Sequence, residues 1–189
     1  MDPLRIFRRF FPAGSDNAYH VYGALVAQAR RPYFYAGLDV ADTLDGRFDM
    51  ILLHAALVLH RLNAADGDKS LAQDLVDVIF ADLDRSLREM GVGDLSVAKK
   101  IKPMAQAFSG RADAYGRALD AGSTDDLAAA IARNLFPLAG DISSSARGIA
   151  NYALAARDAL GAQQIGEIRA GQIAFPDPER ASRGGEGAP

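Results

Sequence analysis

Residues 45–62, DGRFDMILLHAALVLHRL, decide how this chain folds. Projected at about 100° per residue, Phe48, Ile51, Leu52, Leu53, Leu57, Val58, Leu59 and Leu62 fall on nearly every side of a helix of about five turns. A helix that is apolar all round belongs inside a core rather than on its edge. One narrow polar stripe interrupts it. Arg47, His54 and Arg61, spaced by seven residues, point almost the same way. Whatever faces the stripe must satisfy these groups, because one charge left alone in a core costs roughly 3–5 kcal/mol.

The flanking sequence supplies candidate partners. Before the central stretch, Ser15 or Asp16 can cap a helix to about Arg30, apolar at Val21, Tyr22, Leu25 and Ala29, which Arg31-Pro32 ends. After it, residues 63–69 read as a loop, and Ser70 as the cap of a second long helix to about Met90. Asp82 and Glu89 project into or beside the apolar face of that helix. If it folds back antiparallel on the central one, these carboxylates meet Arg47, His54 or Arg61. The result is either an ion-pair lock on helix register or the floor of a groove that receives a partner. Gly91 is placed just beyond the helix end, where a left-handed residue is expected.

Val97, Ile101, Met104, Phe108, Ala112, Tyr115 and Leu119 step by three and four, which marks a further helix opening at Asp94 or Ser96. Pro103 lies inside this pattern and predicts either a kink or two abutting helices. Lys99, Lys102, Gln106 and Arg117 line its outer side, as a solvated face or as a surface for an acidic partner, RNA or lipid phosphates. Arg111, at the edge of the apolar stripe, is expected to bond a carboxylate. A short helix to about Phe136 and a last one from Ser143 or Ser144 to Leu160 complete the helical signal. Beyond Gly161, Ile165, Ile168, Ile173 and Phe175 read as an extended segment, and residues 176–189, rich in Pro and Gly, as a disordered tail. The expected architecture is all-α: a single-domain bundle of about five to seven helices over residues 15–175, around a buried helix at about 46–62.

Bulk properties narrow the function. A chain of 189 residues, 49% hydrophobic and 24% charged, suits one ordinary globular domain. A formal net charge of -3 gives no case for a DNA binder. The absence of cysteine removes disulfides, thiolate metal sites and cysteine nucleophiles. Residues 50–59 are far short of the roughly 18–20 apolar residues that span a bilayer. No apolar region follows the N-terminal arginines as a secretory signal requires. Residues 1–11, MDPLRIFRRFF, begin an arm over 1–14 and interleave Arg5, Arg8 and Arg9 with Phe7, Phe10 and Phe11. This is either a cationic segment that touches a membrane or a partner, or an arm that docks its phenylalanines on its own domain.

Motifs for chemistry are missing. Gly91-Val92-Gly93 lacks the third glycine and the preceding strand of a dinucleotide loop. His54 and His60, six apart, lie about 120° apart on a helix, unlike an i,i+4 metal pair. No nucleophilic triad is suggested. The sequence therefore gives no catalytic residue, no metal site and no cofactor.

Three motifs occur together and in order: Asp45-Gly46-Arg47-Phe48, Arg88-Glu89-Met90-Gly91-Val92-Gly93-Asp94-Leu95 and Phe108-Ser109-Gly110-Arg111. Through them, residues 33–119 resemble the ubiquinol–cytochrome c chaperone family, whose members are complex III assembly factors. The piece ending near Phe175 is similar too. The resemblance implies a non-enzymatic chaperone with a membrane-protein client, cytochrome b, and a small assembly partner protein. Taken with the polar stripe and the basic face, the candidate partner-binding residues are Arg47, His54, Asp82, Arg88, Glu89, Asp94, Lys99, Lys102 and Arg111. Candidates for membrane contact are Arg5, Phe7, Arg8, Arg9, Phe10 and Phe11. The Ala- and Arg-rich composition and the lack of a long targeting extension suit a bacterial relative, in the cytoplasm or peripheral on the inner membrane; a eukaryotic one would lie on the matrix side. Pro103 departs from the family pattern, where a polar or basic residue is expected. A second reading is a peripheral lipid-binding module that uses the arm and the basic helix face.

Overall fold

The computed structural model describes residues 15–89, 91–139 and 141–184. The arm, with Arg5, Phe7, Arg8, Arg9, Phe10 and Phe11, lies outside the described residues. Among those described there are nine helices and no strand: α1 (Asp16–Ala29), α2 (Pro32–Ala36), α3 (Leu44–Leu62), α4 (Lys69–Glu89), α5 (Asp94–Ala121), α6 (Thr124–Leu135), α7 (Ser144–Ala162), α8 (Ile165–Arg169) and α9 (Pro178–Ser182). The chain is all-α, as its periodicity predicts. The number exceeds the expected five to seven because α2, α8 and α9 are five-residue turns too short to register as a periodic pattern.

α3 occupies the centre, in contact with α1, α4, α5, α6 and α7. From Met50 to Leu62 every residue but Ile51 and His60 is buried. Its start is fixed locally. Thr43 Oγ1 accepts the Gly46 N–H at 3.2 Å, a side-chain cap for an otherwise unpaired donor. Gly46 is required by close approach, since a Cβ there would stand 2.1 Å from the Ala41 carbonyl oxygen.

The arrangement around α3 differs from the antiparallel hairpin expected. α1 packs on both α3 and α4, while α3 and α4 touch each other little. The polar stripe of α3 therefore does not face the acidic edge of α4. The cap of α4 also differs: Asp68, not Ser70, accepts the Leu71 N–H at 3.0 Å. That bond, with Arg169 behind it, holds the Asp68 carboxyl below its ordinary value. Gly91 takes the left-handed conformation, φ 80°, as expected after α4. α5 passes through Pro103 as one helix. Pro103 is exposed, so the Lys99 carbonyl that loses its helical donor is on the solvent side.

The C-terminal part is more ordered than its composition suggests. Residues 165–169, expected to be extended, form α8; residues 172–177 have no regular secondary structure, and the Gln163 side chain braces them by donating to Gln172 O and accepting from the Ala174 N–H, both at 2.9 Å. Residues 178–182, expected within a disordered tail, form α9. Asp177 caps it by accepting from the Glu179 and Arg180 N–H groups, and Pro178 takes the first helical position, where its missing N–H costs nothing. α9 packs on α7, where Asn151 donates to the Ser182 carbonyl at 3.2 Å. Residues 185–189 lie outside the description.

Candidate functional site

The three residues of the polar stripe have separate partners. His54 is completely buried. Its Nδ1 lies 2.8 Å from the Met50 carbonyl, which can only accept, so the proton sits on Nδ1. Nε2 is then an acceptor, and the Tyr152 hydroxyl donates to it at 2.8 Å. The Tyr152 oxygen accepts in turn from Gln28 Nε2 at 3.1 Å, and the same amide reaches the Pro176 carbonyl at 3.2 Å. Phe34 and Phe175 stand edge-on to the imidazole at 5.4 and 5.3 Å. Burial lowers the imidazole pKa from 6.5 to about 4, so His54 is neutral near pH 7. This chain of bonds ties α1, α3, α7 and the C-terminal segment together. A partner cannot touch His54 in this conformation, which removes it as a contact residue.

Arg61 is the second buried member, 6% exposed. Its Nε donates to the Leu160 carbonyl at 3.0 Å and one Nη to the Gln163 carbonyl at 3.2 Å, both at the end of α7. A bidentate pair with Asp66, at 3.0 and 3.1 Å, completes the fork. Arg47 lies outside the core and pairs through Nε with Asp42 at 2.6 Å.

The carboxylates expected opposite the stripe are elsewhere. Asp82 accepts from the Tyr22 hydroxyl at 2.8 Å and from Arg85 at 2.5 Å. That environment, with burial first and the Asp82 bond second, raises the Tyr22 pKa. Glu89 is exposed at the end of α4, and Arg88 pairs with Asp84 at 2.6 Å. Neither Asp82 nor Glu89 meets Arg47, His54 or Arg61, because α1 covers the intervening space. Arg111 does bond a carboxylate, that of Asp49 on α3. Burial pushes the Asp49 carboxyl up more than Arg111 pulls it down.

Lys99 and Lys102 are exposed on α5, and the side chain of Asp94 lies outside the described residues. Next to the start of α3, Arg30, Pro32, Tyr35, Ala36, Asp42 and Arg47 line a cleft of about 450 Å³. Among the described residues no three His, Asp or Glu side chains converge as metal ligands, and no helix is long and apolar enough to cross a membrane.

Tyr152 is legible in the sequence as an inward residue of the last helix, but its pairing with His54 and Gln28 is not, nor is that of Asp49 with Arg111. Asp42 and Asp66 carried a usable signal, since each lies five residues outside its arginine at an end of the central helix. The Tyr152 pairing carries no such local signal, being 98 residues from His54.

No curated protein matches the chain. A crystal structure of the Cbp3 homolog from Brucella abortus superposes with a TM-score of 0.79 at 39% identity, covering 94% of this chain and 98% of that one. Residues 36–175 match the family described as Ubiquinol-cytochrome C chaperone. The chain therefore belongs to the ubiquinol–cytochrome c chaperone family, the assembly chaperones of complex III.

Proposed function

We propose that this protein is a non-enzymatic chaperone that holds cytochrome b while the ubiquinol–cytochrome c reductase complex is assembled. The observation that carries this reading is the family match across residues 36–175. The interior agrees with a framework role: the buried imidazole and guanidinium of α3 are spent on hydrogen bonds within the fold. Contacts with the client or with a small assembly partner then fall to outward-facing groups, for which we assign Arg47, Arg88, Glu89, Lys99 and Lys102, with Asp94 beside them in the sequence. His54, Asp82 and Arg111 serve the framework.

The cationic arm, residues 1–11, is assigned to the membrane surface on which such a client is inserted, at the cytoplasmic face of a bacterial inner membrane. Deleting the gene and measuring haem-loaded cytochrome b in membranes tests the client. A marked loss is expected, and normal levels would sink the assignment. Liposome flotation of the full chain against a form lacking residues 1–11 tests the arm; equal behaviour of the two removes its membrane role.

A further inference from the structure

The cleft beside the N-terminus of α3 has the chemistry of an anion site. Arg30 directly follows α1, and its guanidinium has no ion-pair or hydrogen-bond partner among the described residues. Arg47 engages Asp42 through Nε alone, so its terminal N–H groups are unused among the described residues. Both arginines line the same cleft as Tyr35 and Asp42. The Tyr35 hydroxyl donates to the Ala29 carbonyl at 2.8 Å and so holds the ring across the cleft. Pro32 and Ala36 add apolar wall beside the ring.

Two arginines against one aspartate leave the lining with an excess of one positive charge. This balance favours a singly charged anion. A phosphate near two negative charges would face the Asp42 carboxylate with too little compensation, whereas a single carboxylate matches the excess and the forked N–H geometry of arginine. The apolar wall and the volume suit a carboxylate carried on a short aliphatic stem rather than a bare ion. We propose that this cleft binds an acidic side chain, in an apolar context, from a protein partner. The inference rests on the chaperone reading only for the existence of such a partner.

The test uses the full chain, isotopically labelled, titrated with a blocked Gly-Leu-Glu-Leu-Gly peptide and followed by the arginine Nε–H signals in NMR. The expected result is a shift of the Arg30 and Arg47 signals, and binding about tenfold weaker for the Gly-Leu-Gln-Leu-Gly peptide, the loss of one charge-assisted pair. Arg30→Gln, at an exposed position without a partner among the described residues, should fold normally and weaken binding about tenfold. Asp42→Asn should tighten it severalfold. Equal affinity for the two peptides, or unchanged affinity in Arg30→Gln, would overturn the proposal. So would displacement of the peptide by phosphatidylglycerol vesicles at lower concentration than the peptide itself requires, which would assign the cleft to lipid phosphate. A gene deletion without effect on cytochrome b would remove the client and leave this titration standing. A blank titration would remove the cleft and leave the client standing.

Discussion

The Tyr152 hydroxyl donates its proton to Nε2 of His54 at 2.8 Å, inside the core and between two helices that are remote in sequence. The Met50 carbonyl fixes the histidine tautomer and burial keeps the ring neutral, while the Tyr152 bond satisfies Nε2 and leaves the Tyr152 oxygen placed to accept from Gln28.

Acid should destabilise the fold through His54. Its folded pKa, about 4, lies below the ordinary 6.5, so the unfolded chain binds more protons between these values. Stability from this group is complete above about pH 6.5 and is lost as pH falls toward 4, by about 3 kcal/mol in all. Denaturant midpoints measured from pH 4 to 7 should slope accordingly, and in His54→Gln that part of the slope should disappear.

Tyr152→Phe leaves His54 Nε2 and the Gln28 amide short of a partner in a buried site. A loss of about 1–3 kcal/mol is expected in urea unfolding. Because Gln28 also holds Pro176, hydrogen exchange should quicken over residues 172–177 before it does in α5.

Arg61 should not tolerate lysine. Its fork serves two carbonyls at the end of α7 and both oxygens of Asp66, a pattern one ammonium group cannot reproduce. Arg61→Lys is expected to cost about 1–3 kcal/mol and Arg61→Ala more, while Asp66→Asn, altering the exposed partner, should cost under about 1 kcal/mol. Thermal melts of the three variants give the order directly.

The Asp49–Arg111 pair predicts the opposite pH dependence. In Arg111→Met the half-buried carboxyl, already raised by burial, should rise further. An acid whose pKa is raised by folding binds more protons in the folded state, so this variant should lose stability as pH climbs from 4 to 7, by about 1–3 kcal/mol. Asp49→Leu combined with Arg111→Met should recover most of it. A variant that weakens equally at both pH values would contradict this account.

Gly46→Ala tests the steric demand at the start of α3. The added methyl would collide with the Ala41 carbonyl, and a cost of about 1–3 kcal/mol is expected in place of the usual gain from a better helix former.

The sequence by itself determined that residues 45–62 form the central helix, because apolar residues on every side leave no solvent face to accommodate. It also marked Arg47, His54 and Arg61 as one polar stripe, and Arg111 as needing a carboxylate. Only the tertiary structure decided what meets them. Periodicity fixes which face of a helix is polar, but not which neighbour covers that face. Here α1 stands between α3 and α4, so Asp82 turns to Tyr22 and the expected register lock does not form. The end arginines find aspartates five residues away in the flanking loops, within reach of the local chain. His54, in the middle of a buried helix, has no such neighbour, and its tyrosine arrives from α7 only when the bundle closes.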